Sequence, residues 1–223
     1  MSTPAPPPSP PVVPGLRTGA AWAGRRVGLL GGSFNPAHEG HRHASLEAIR
    51  RLGLNEVWWL VSPQNPLKPA AGMADLATRL ATARARARHP RIRVTALEGD
   101  LGTRYTVETL AELRRRYPRT HFVWLMGADN LAQIPRWRGW VRIFGMVPVA
   151  VMPRAPYSLR ALVGKAAARF AGSRVAPGRA RGLAEMPPPA WTFLEGPVHP
   201  ASATEIRRGG DRRAWVPATP KPR

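Results

Sequence analysis

The chain of 223 residues contains no cysteine, which excludes disulfide bonds, thiol nucleophiles, and zinc or iron–sulfur centres held by cysteine. Acidic residues are also scarce: 13 Asp and Glu face 34 Lys and Arg, which gives a formal net charge of +21. The longest apolar stretches, such as 57–61 and 147–152, are far shorter than the roughly 20 residues of a membrane span. We therefore expect a soluble, cytoplasmic protein that binds an anion: a phosphate ligand, a nucleic acid or a lipid surface.

Both ends of the chain are rich in proline and unsuited to continuous helix. The first 14 residues include seven prolines, and three more follow the Gly209-Gly210 pair. Since 43% of the whole chain is hydrophobic, the remainder can bury a sizeable core. We predict a flexible tail over 1–24, a single folded domain over 25–208, and a second tail over 209–223.

Within that domain, short apolar runs alternate with longer segments that are compatible with helix. The predicted strands are 26–30, 57–61, 92–95, 121–126, 147–152 and 191–194. The predicted helices are 40–52, 73–89, 106–117, 133–144 and 158–171. This alternation predicts an α/β fold with a doubly wound parallel sheet. We interpret the Arg-rich piece at 175–182 as a loose connection with its charges in solvent.

The first predicted strand runs directly into Gly31-Gly32, and His38 and His41 follow. Ligands of open α/β sheets bind at this edge, and adjacent glycines let the backbone approach phosphate groups. The spacing fits neither the dinucleotide-binding fingerprint nor the P-loop. Two imidazoles three residues apart lie on one face of a helical turn, where they can stabilise charge on a phosphorus centre. A metal site is less convincing, because Glu39 is the one carboxylate close in sequence.

Two segments in this order resemble the signatures of the HxGH nucleotidylyltransferases. Residues 31–41 read Gly-Gly-Ser-Phe-Asn-Pro-Ala-His-Glu-Gly-His, and residues 201–207 read Ala-Ser-Ala-Thr-Glu-Ile-Arg. Further segments at 62–68, 105–110 and 127–138 are similar to bacterial nicotinate-nucleotide adenylyltransferases. The resemblance covers about 26–208 and implies a Rossmann-like nucleotidylyltransferase fold. It also implies a step of NAD biosynthesis, in which ATP and nicotinate mononucleotide give nicotinate adenine dinucleotide and pyrophosphate.

The resemblance also implies a role for individual residues. ATP binding is implied for Gly32, Ser33, Phe34, His38, His41, Asp129, Ser202, Thr204 and Arg207, of which His38, His41 and Arg207 are the implied catalytic residues. Binding of nicotinate mononucleotide is implied for Ser33, Lys68, Thr106, Trp137 and Arg138. The Trp137 ring would stack on the nicotinate ring, and main-chain amides would receive its carboxylate. Mg²⁺ is expected on the ATP phosphates rather than on protein ligands.

The two phosphate-binding segments leave the acceptor open. Adenylyl transfer to pantetheine phosphate and cytidylyl transfer are alternatives within the same superfamily, although the segments at 105–106 and 137 favour the pyridine nucleotide. A basic nucleic-acid-binding protein explains the charge but not the two signatures, so we expect neither a membrane nor a specific nucleic-acid partner. The oligomeric state stays open. The chain departs from the family pattern at Asn35, where Asp is usual, at Ala37, where Pro is common, and at Ala203, where the second Ser is usual.

Overall fold

The computed structural model describes residues 19–63, 72–154 and 158–196, together with Ala201, Ala203 and Ile206. Six strands of this part form one sheet in the order β3-β2-β1-β4-β5-β6, and all neighbouring pairs are parallel. The strands are β1 Arg26–Gly32, β2 Glu56–Val61, β3 Ile92–Thr95, β4 His121–Gly127, β5 Val149–Met152 and β6 Trp191–Phe193. The predicted doubly wound parallel sheet is thus confirmed.

Helices connect the strands and lie on both faces of the sheet. The α-helices are α1 Glu39–Arg51, α2 Leu76–Ala87, α3 Leu97–Asp100, α4 Thr106–Arg116, α5 Ala128–Gln133, α6 Trp140–Met146, α7 Ser158–Leu162 and α8 Lys165–Arg169. Short 3-10 helices cover Gly19–Trp22, Ile134–Arg136, Ala171–Ser173 and Pro177–Glu185. None of the helices in the described ranges has both the length and the apolar character that crossing a bilayer requires.

Two apolar layers hold the helices against the sheet. Trp58 and Trp124 belong to the layer that also contains side chains of α4, α5, α6 and α8. Phe34 and Trp59 belong to the opposite layer, with side chains of α1, α2 and the 3-10 helix Pro177–Glu185. Because β2 is covered on both faces, every one of its six residues is buried, which explains why its sequence is an almost continuous apolar run.

The strand order creates a switch point between β1 and β4. From β1 the chain moves outward through β2 to β3, and then returns to β4 on the other side of β1. The connections after β1 and β4 therefore leave in opposite directions and open a crevice at the carboxyl ends of these strands. The Gly31-Gly32 pair ends β1, so the predicted phosphate-binding loop lies at this crevice.

Two predicted helices are interrupted in the structure. The predicted helix 133–144 is wrong as one element, because Ile134–Arg136 is a 3-10 turn with Pro135 in its first turn and Gly139 has a φ of 62°. A residue with positive φ cannot continue a right-handed helix. The predicted helix 158–171 is divided into α7 and α8, with Gly164 in an extended conformation between them.

Two segments outside the predicted elements are also folded. Trp22 is 1% exposed in the turn Gly19–Trp22 and packs edge-on against Trp58 at 4.8 Å, so ordered structure starts before the predicted boundary at residue 25. The predicted loose connection at 175–182 is wrong in one respect, since a 3-10 helix buries Ala180 there, although the charges of Arg179 and Arg181 are exposed as predicted. In both cases buried side chains supply contacts that the proline- or arginine-rich composition does not indicate.

Candidate active site

A cavity of about 260 Å³ opens at the switch point of the sheet. Its walls come from the end of β1 and the loop after it, from α1, from the start of α5, from the end of β5, and from the residues that follow β5 and β6. Of the predicted site residues, six line it: Gly32, Ser33, Phe34, His38, His41 and Asp129. The sheet topology thus brings residues that are almost 100 positions apart in the sequence to one ligand-sized space.

His38 and His41 cap the amino end of α1 through each other. The Nδ1 atom of His38 accepts a hydrogen bond from the Gly40 N–H at 3.1 Å, and Nδ1 of His41 accepts one from the His38 N–H at 3.2 Å. The two ring centroids lie 3.9 Å apart. This reciprocal arrangement satisfies main-chain donors that every helix start leaves unpaired.

The capping bonds fix where the two imidazoles carry their protons. Because each Nδ1 accepts from a main-chain N–H, each neutral ring holds its proton on Nε2. The rings therefore present Nε2–H as the donor for any partner in the cavity.

Glycine is required at position 40, between the two histidines, because other groups of the protein lie too close for a side chain. A Cβ atom on Gly40 would lie 2.9 Å from the His38 ring and 3.1 Å from the carbonyl oxygen of Ala201. The first contact is far inside van der Waals distance, and the second involves main chain that has little room to move. Any larger residue would push the histidine ring out of its capping position.

The loop after β1 holds an unusual backbone conformation at Phe34. Its φ is 46°, in the left-handed region that non-glycine residues seldom adopt. The Phe34 ring is 2% exposed and stacks on Trp59 at 5.0 Å, with His41 at 4.8 Å on another side. Burial of this ring stabilises the loop and sets the position of His41.

Asn35, a departure from the family pattern, also anchors this loop. Its amide nitrogen donates to the carbonyl of Gly72 at 3.0 Å, and its amide oxygen accepts from the Ala74 N–H at 3.1 Å. An aspartate could accept the second bond but could not donate the first. Asn35 therefore ties the loop to the segment that begins α2 in a way specific to an amide side chain.

Charged side chains surround the rest of the cavity. Asp129 follows β4 and lies 3.9 Å from the Arg154 guanidinium, while its Oδ1 is buried without a hydrogen-bond partner in the described part of the chain. Glu47 pairs with Arg51 at 2.7 Å, and Arg51 in turn donates to the carbonyl of Glu195. Asp129 and Arg154 thus form an ion pair on the cavity wall.

Three residues predicted for the pyridine nucleotide, Thr106, Trp137 and Arg138, form a second cluster outside the walls of this cavity. The Arg138 guanidinium lies 4.8 Å from the Tyr105 ring and 3.4 Å from Glu108, which places it beside Thr106 at the start of α4. Trp137 is half-buried and meets Trp124 edge-on at 6.5 Å. Trp124 covers Gly31, where a Cβ would be 2.5 Å from the indole ring, so Trp124 joins this cluster to the cavity.

A buried carboxyl lies near the same helix. Glu98 of α3 is 8% exposed, and this burial raises the pKa of its carboxyl group. Hydrogen bonds from Ser62 and Thr109 lower the pKa and so offset part of the effect. Thr109 donates to Glu98 Oε1 at 3.3 Å and shares a hydrogen bond of 2.9 Å with Thr103. These bonds connect the end of β2 to the first turns of α4.

Four predicted residues lie outside the described residues: Lys68, Ser202, Thr204 and Arg207. The neighbours Ala201 and Ala203 line the cavity, and the Ala201 carbonyl lies beside Gly40. The second signature segment therefore starts at the same space as the two histidines. Within the described ranges, no group of three or more His, Asp or Glu side chains is arranged to hold a metal ion.

Several residues that were not predicted from the sequence also lie at this site. His43, Glu47, Asn130 and Arg154 line the cavity, and Arg79, 1% exposed, donates to the carbonyl of Ser33 at 2.9 Å. His43 follows the signature by two positions, which was a usable signal. No feature of the sequence distinguishes Arg79 from Arg84 and Arg86, which lie in the same helix.

Comparison with known proteins gives consistent results. Residues 29–209 match a family described as cytidylyltransferase-like. The chain is 54% identical over 184 residues to a probable nicotinate-nucleotide adenylyltransferase of Cereibacter sphaeroides, covering 82% of this chain and 97% of that protein. A similarly named protein of Parvibaculum lavamentivorans is 54% identical over 188 residues, covering 84% and 94% of the two chains.

A solved structure supports the fold. The chain is similar to Plasmodium falciparum nicotinic acid mononucleotide adenylyltransferase complexed with NaAD, with a TM-score of 0.59 and 15% identity. The match covers 82% of this chain and 83% of that one. At this identity the likeness shows a shared architecture, that of a Rossmann-like sheet.

Proposed function

Because the chain belongs to the nicotinate-nucleotide adenylyltransferases of the cytidylyltransferase-like family, we propose that its cavity joins ATP to nicotinate mononucleotide. The products are nicotinate adenine dinucleotide and pyrophosphate, and the reaction is a step of NAD biosynthesis. The observation that carries the proposal is the pair His38 and His41, which line a cavity at the switch point with their Nδ1 atoms held by main-chain donors.

The reaction needs no protein nucleophile. A phosphate oxygen of nicotinate mononucleotide forms a bond to the α-phosphorus of ATP, the bond from that phosphorus to the bridging oxygen breaks, and pyrophosphate leaves with the electron pair. The protein therefore contributes by aligning two anions and by stabilising the negative charge around phosphorus. A cavity rich in donors suits that task.

The two histidines provide those donors on the α-phosphate side. Their Nε2–H groups donate to phosphate oxygens, with His41 assigned to the α-phosphate in the transition state and His38 beside it. Main-chain N–H groups of Ser33 and Phe34 add further donors, and Gly32 lets the nucleotide approach the backbone. Donors held in place before reaction stabilise the developing charge without reorganisation.

The other contacts to ATP are assigned to the ends of β4 and of the chain. Asp129, which lines the cavity beside Arg154, accepts a hydrogen bond from the ribose. Ser202, Thr204 and Arg207 bind the β- and γ-phosphates and the leaving pyrophosphate. The position of Ala201 and Ala203 on the cavity wall supports this assignment, because their neighbours start from the same place.

The pyridine nucleotide is assigned to the cluster at the start of α4. Trp137 stacks on the nicotinate ring, Thr106 and Ser33 contact the nucleotide, and Lys68 contacts its phosphate. The Arg138 guanidinium contacts Tyr105 and Glu108, and the Trp137 N–H donates to the Ile134 carbonyl at 2.8 Å. We therefore assign the nicotinate carboxylate to the main-chain N–H of Arg138. Charge-assisted bonds to that carboxylate favour the acid over the amide.

Mg²⁺ fits this site as part of the Mg–ATP complex. The described cavity offers no cage of protein ligands, and its Glu47 carboxylate is paired with Arg50 and Arg51. A magnesium ion that keeps several waters and binds mainly phosphate oxygens matches these surroundings. When bound, the ion neutralises charge on the phosphates.

The test is a substrate panel with purified protein. Mg–ATP with nicotinate mononucleotide should release pyrophosphate and form the dinucleotide, faster than with nicotinamide mononucleotide, and EDTA should stop the reaction. Pantetheine phosphate with ATP, and CTP with a phosphorylated acceptor, form the comparison arms. Pyrophosphate release in a comparison arm but not with either pyridine nucleotide would overturn the proposal.

A further inference from the structure

A buried arginine outside the predicted site is bonded to the loop that follows β1. Arg79 lies in the first turn of α2 and is 1% exposed. Its Nε donates to the carbonyl of Ala74 at 2.9 Å, and its Nη1 to those of Ser33 at 2.9 Å and Ser62 at 2.6 Å. Its Nη2 donates to the carbonyl of Pro63 at 2.8 Å. One side chain thus joins the carboxyl ends of β1 and β2 to the start of α2.

The surroundings of Arg79 are unusual for a buried cation. Burial lowers the pKa of its guanidinium, and the nearby Asp75 acts in the opposite direction, yet arginine keeps its charge in proteins. The guanidinium donates to four main-chain carbonyl oxygens. Burying a charge is costly unless hydrogen bonds satisfy it, and here those bonds fix the course of three chain segments.

One of these bonds determines the direction of a proposed phosphate donor. The carbonyl of Ser33 and the N–H of Phe34 belong to the same planar peptide unit, which is trans. In a trans unit these two groups point in opposite directions. Since the Ser33 carbonyl points to Arg79, the Phe34 N–H points away from Arg79, and both residues line the cavity.

The loop also needs external bonds to keep this orientation. Phe34 has a φ of 46°, a conformation that persists only when its surroundings hold it. Asn35 provides two bonds to the segment Gly72–Ala74, and Arg79 provides the bond to the Ser33 carbonyl itself. Without Arg79 the peptide between Ser33 and Phe34 could rotate.

We propose that Arg79 is a positioning residue for adenylyl transfer, which orients the Phe34 N–H toward the nucleotide phosphates by holding the Ser33 carbonyl. This inference rests on the proposed function, because it assigns the phosphates to that N–H. Arg79 acts through the main chain and does not itself touch the substrate. Its removal should impair ATP binding and turnover together, beyond any effect on folding.

The experiment compares Arg79→Met and Arg79→Lys with Arg84→Met, a matched control at an exposed position of the same helix. Three quantities are measured: the melting temperature, the Kd of α,β-methylene-ATP by calorimetry, and kcat and KM for each nucleotide. We expect Arg79→Met to raise the Kd and the ATP KM about tenfold and to lower kcat by roughly 10²-fold, the cost of misplacing a reacting group by about 1 Å. Arg79→Lys should recover part of both losses, because its ammonium can donate to some of the same carbonyls.

Each outcome decides the proposal. A lower melting temperature with unchanged Kd, KM and kcat in either Arg79 variant would show a purely structural role and overturn it. If Arg79→Met does not fold, Arg79→Lys decides by the same quantities, with a Kd raised severalfold expected. If the unaltered protein binds α,β-methylene-ATP but transfers no adenylyl group, the proposed function fails, while the Kd values still report on Arg79.

Discussion

At the scale of single residues, His41 combines two functions that can be separated by substitution. Its Nδ1 accepts the capping bond from His38, and its Nε2 is the assigned donor to phosphate. Replacing His41 by Ala removes both, whereas Asn places an amide oxygen near the Nδ1 position and has no atom at the Nε2 position. We expect kcat to fall by roughly 10²- to 10³-fold in both variants, as when a charge-stabilising donor is lost.

Stability should distinguish the two variants. Loss of a helix cap costs about 0.5–2 kcal/mol, so His41→Ala should unfold at a lower urea concentration than His41→Asn. The measurements are steady-state kinetics and urea midpoints on the same preparations. A nearly normal kcat in His41→Asn would contradict the assignment of Nε2 and leave His41 with a capping role.

At the scale of secondary-structure elements, Glu98 of α3 makes stability depend on pH. Burial raises the pKa of Glu98 in the folded protein above its ordinary value of 4.5. Between these two pH values the folded protein keeps the proton on Glu98, whereas the unfolded chain has lost it. Stability from this group is therefore complete at low pH and declines as the pH rises through the raised value. Glu98→Gln keeps the hydrogen-bonding shape without ionising, so its stability relative to the unaltered protein should increase with pH.

The size of that increase follows the pKa shift. Each unit by which the folded pKa is raised corresponds to about 1.4 kcal/mol, or roughly 3–6 °C of melting temperature in a chain of this length. Melting temperatures between pH 4.5 and 8 measure it. Glu112→Gln is the control of opposite sign, since hydrogen bonding from Arg115 lowers the pKa of Glu112. A constant difference between Glu98→Gln and the unaltered protein across this range would contradict the prediction.

The same scale shows how far the sequence predicts this fold. The strands are predictable because continuous apolar runs such as that of β2 are what a sheet covered on both faces requires, and β3 matches its predicted bounds. The predicted helix over 133–144 fails because the apolar spacing continues through Gly139, whose positive φ is visible only in the structure. Glycine leaves both hands of the backbone open, so its sequence position alone does not decide the break.

The candidate site also contains residues that can be predicted from the sequence and residues that cannot. His38 and His41 are predictable because their spacing at a helix start follows from local geometry, and their contact at 3.9 Å agrees with it. Arg79 is not predictable, because its four carbonyl partners come from three segments that only the tertiary fold brings together. Side chains that act on distant main-chain groups leave no periodic pattern in the sequence.

At the scale of the whole molecule, a net charge of +21 predicts two different responses to salt. Duplex DNA should bind without sequence preference at about 50 mM salt and lose roughly 10³- to 10⁵-fold in affinity by about 200 mM, if six to ten phosphates are contacted. Adenylyl transfer should change far less over this range, because groups such as His38, 4% exposed, are screened less than surface arginines. Fluorescence anisotropy with two unrelated duplexes and parallel activity assays test both responses.

The exposed arginines would then act as a diffuse cationic surface and the cavity as the specific anion site. Selective, salt-resistant binding of one duplex would instead favour a nucleic-acid partner, since only contacts to base edges distinguish sequences.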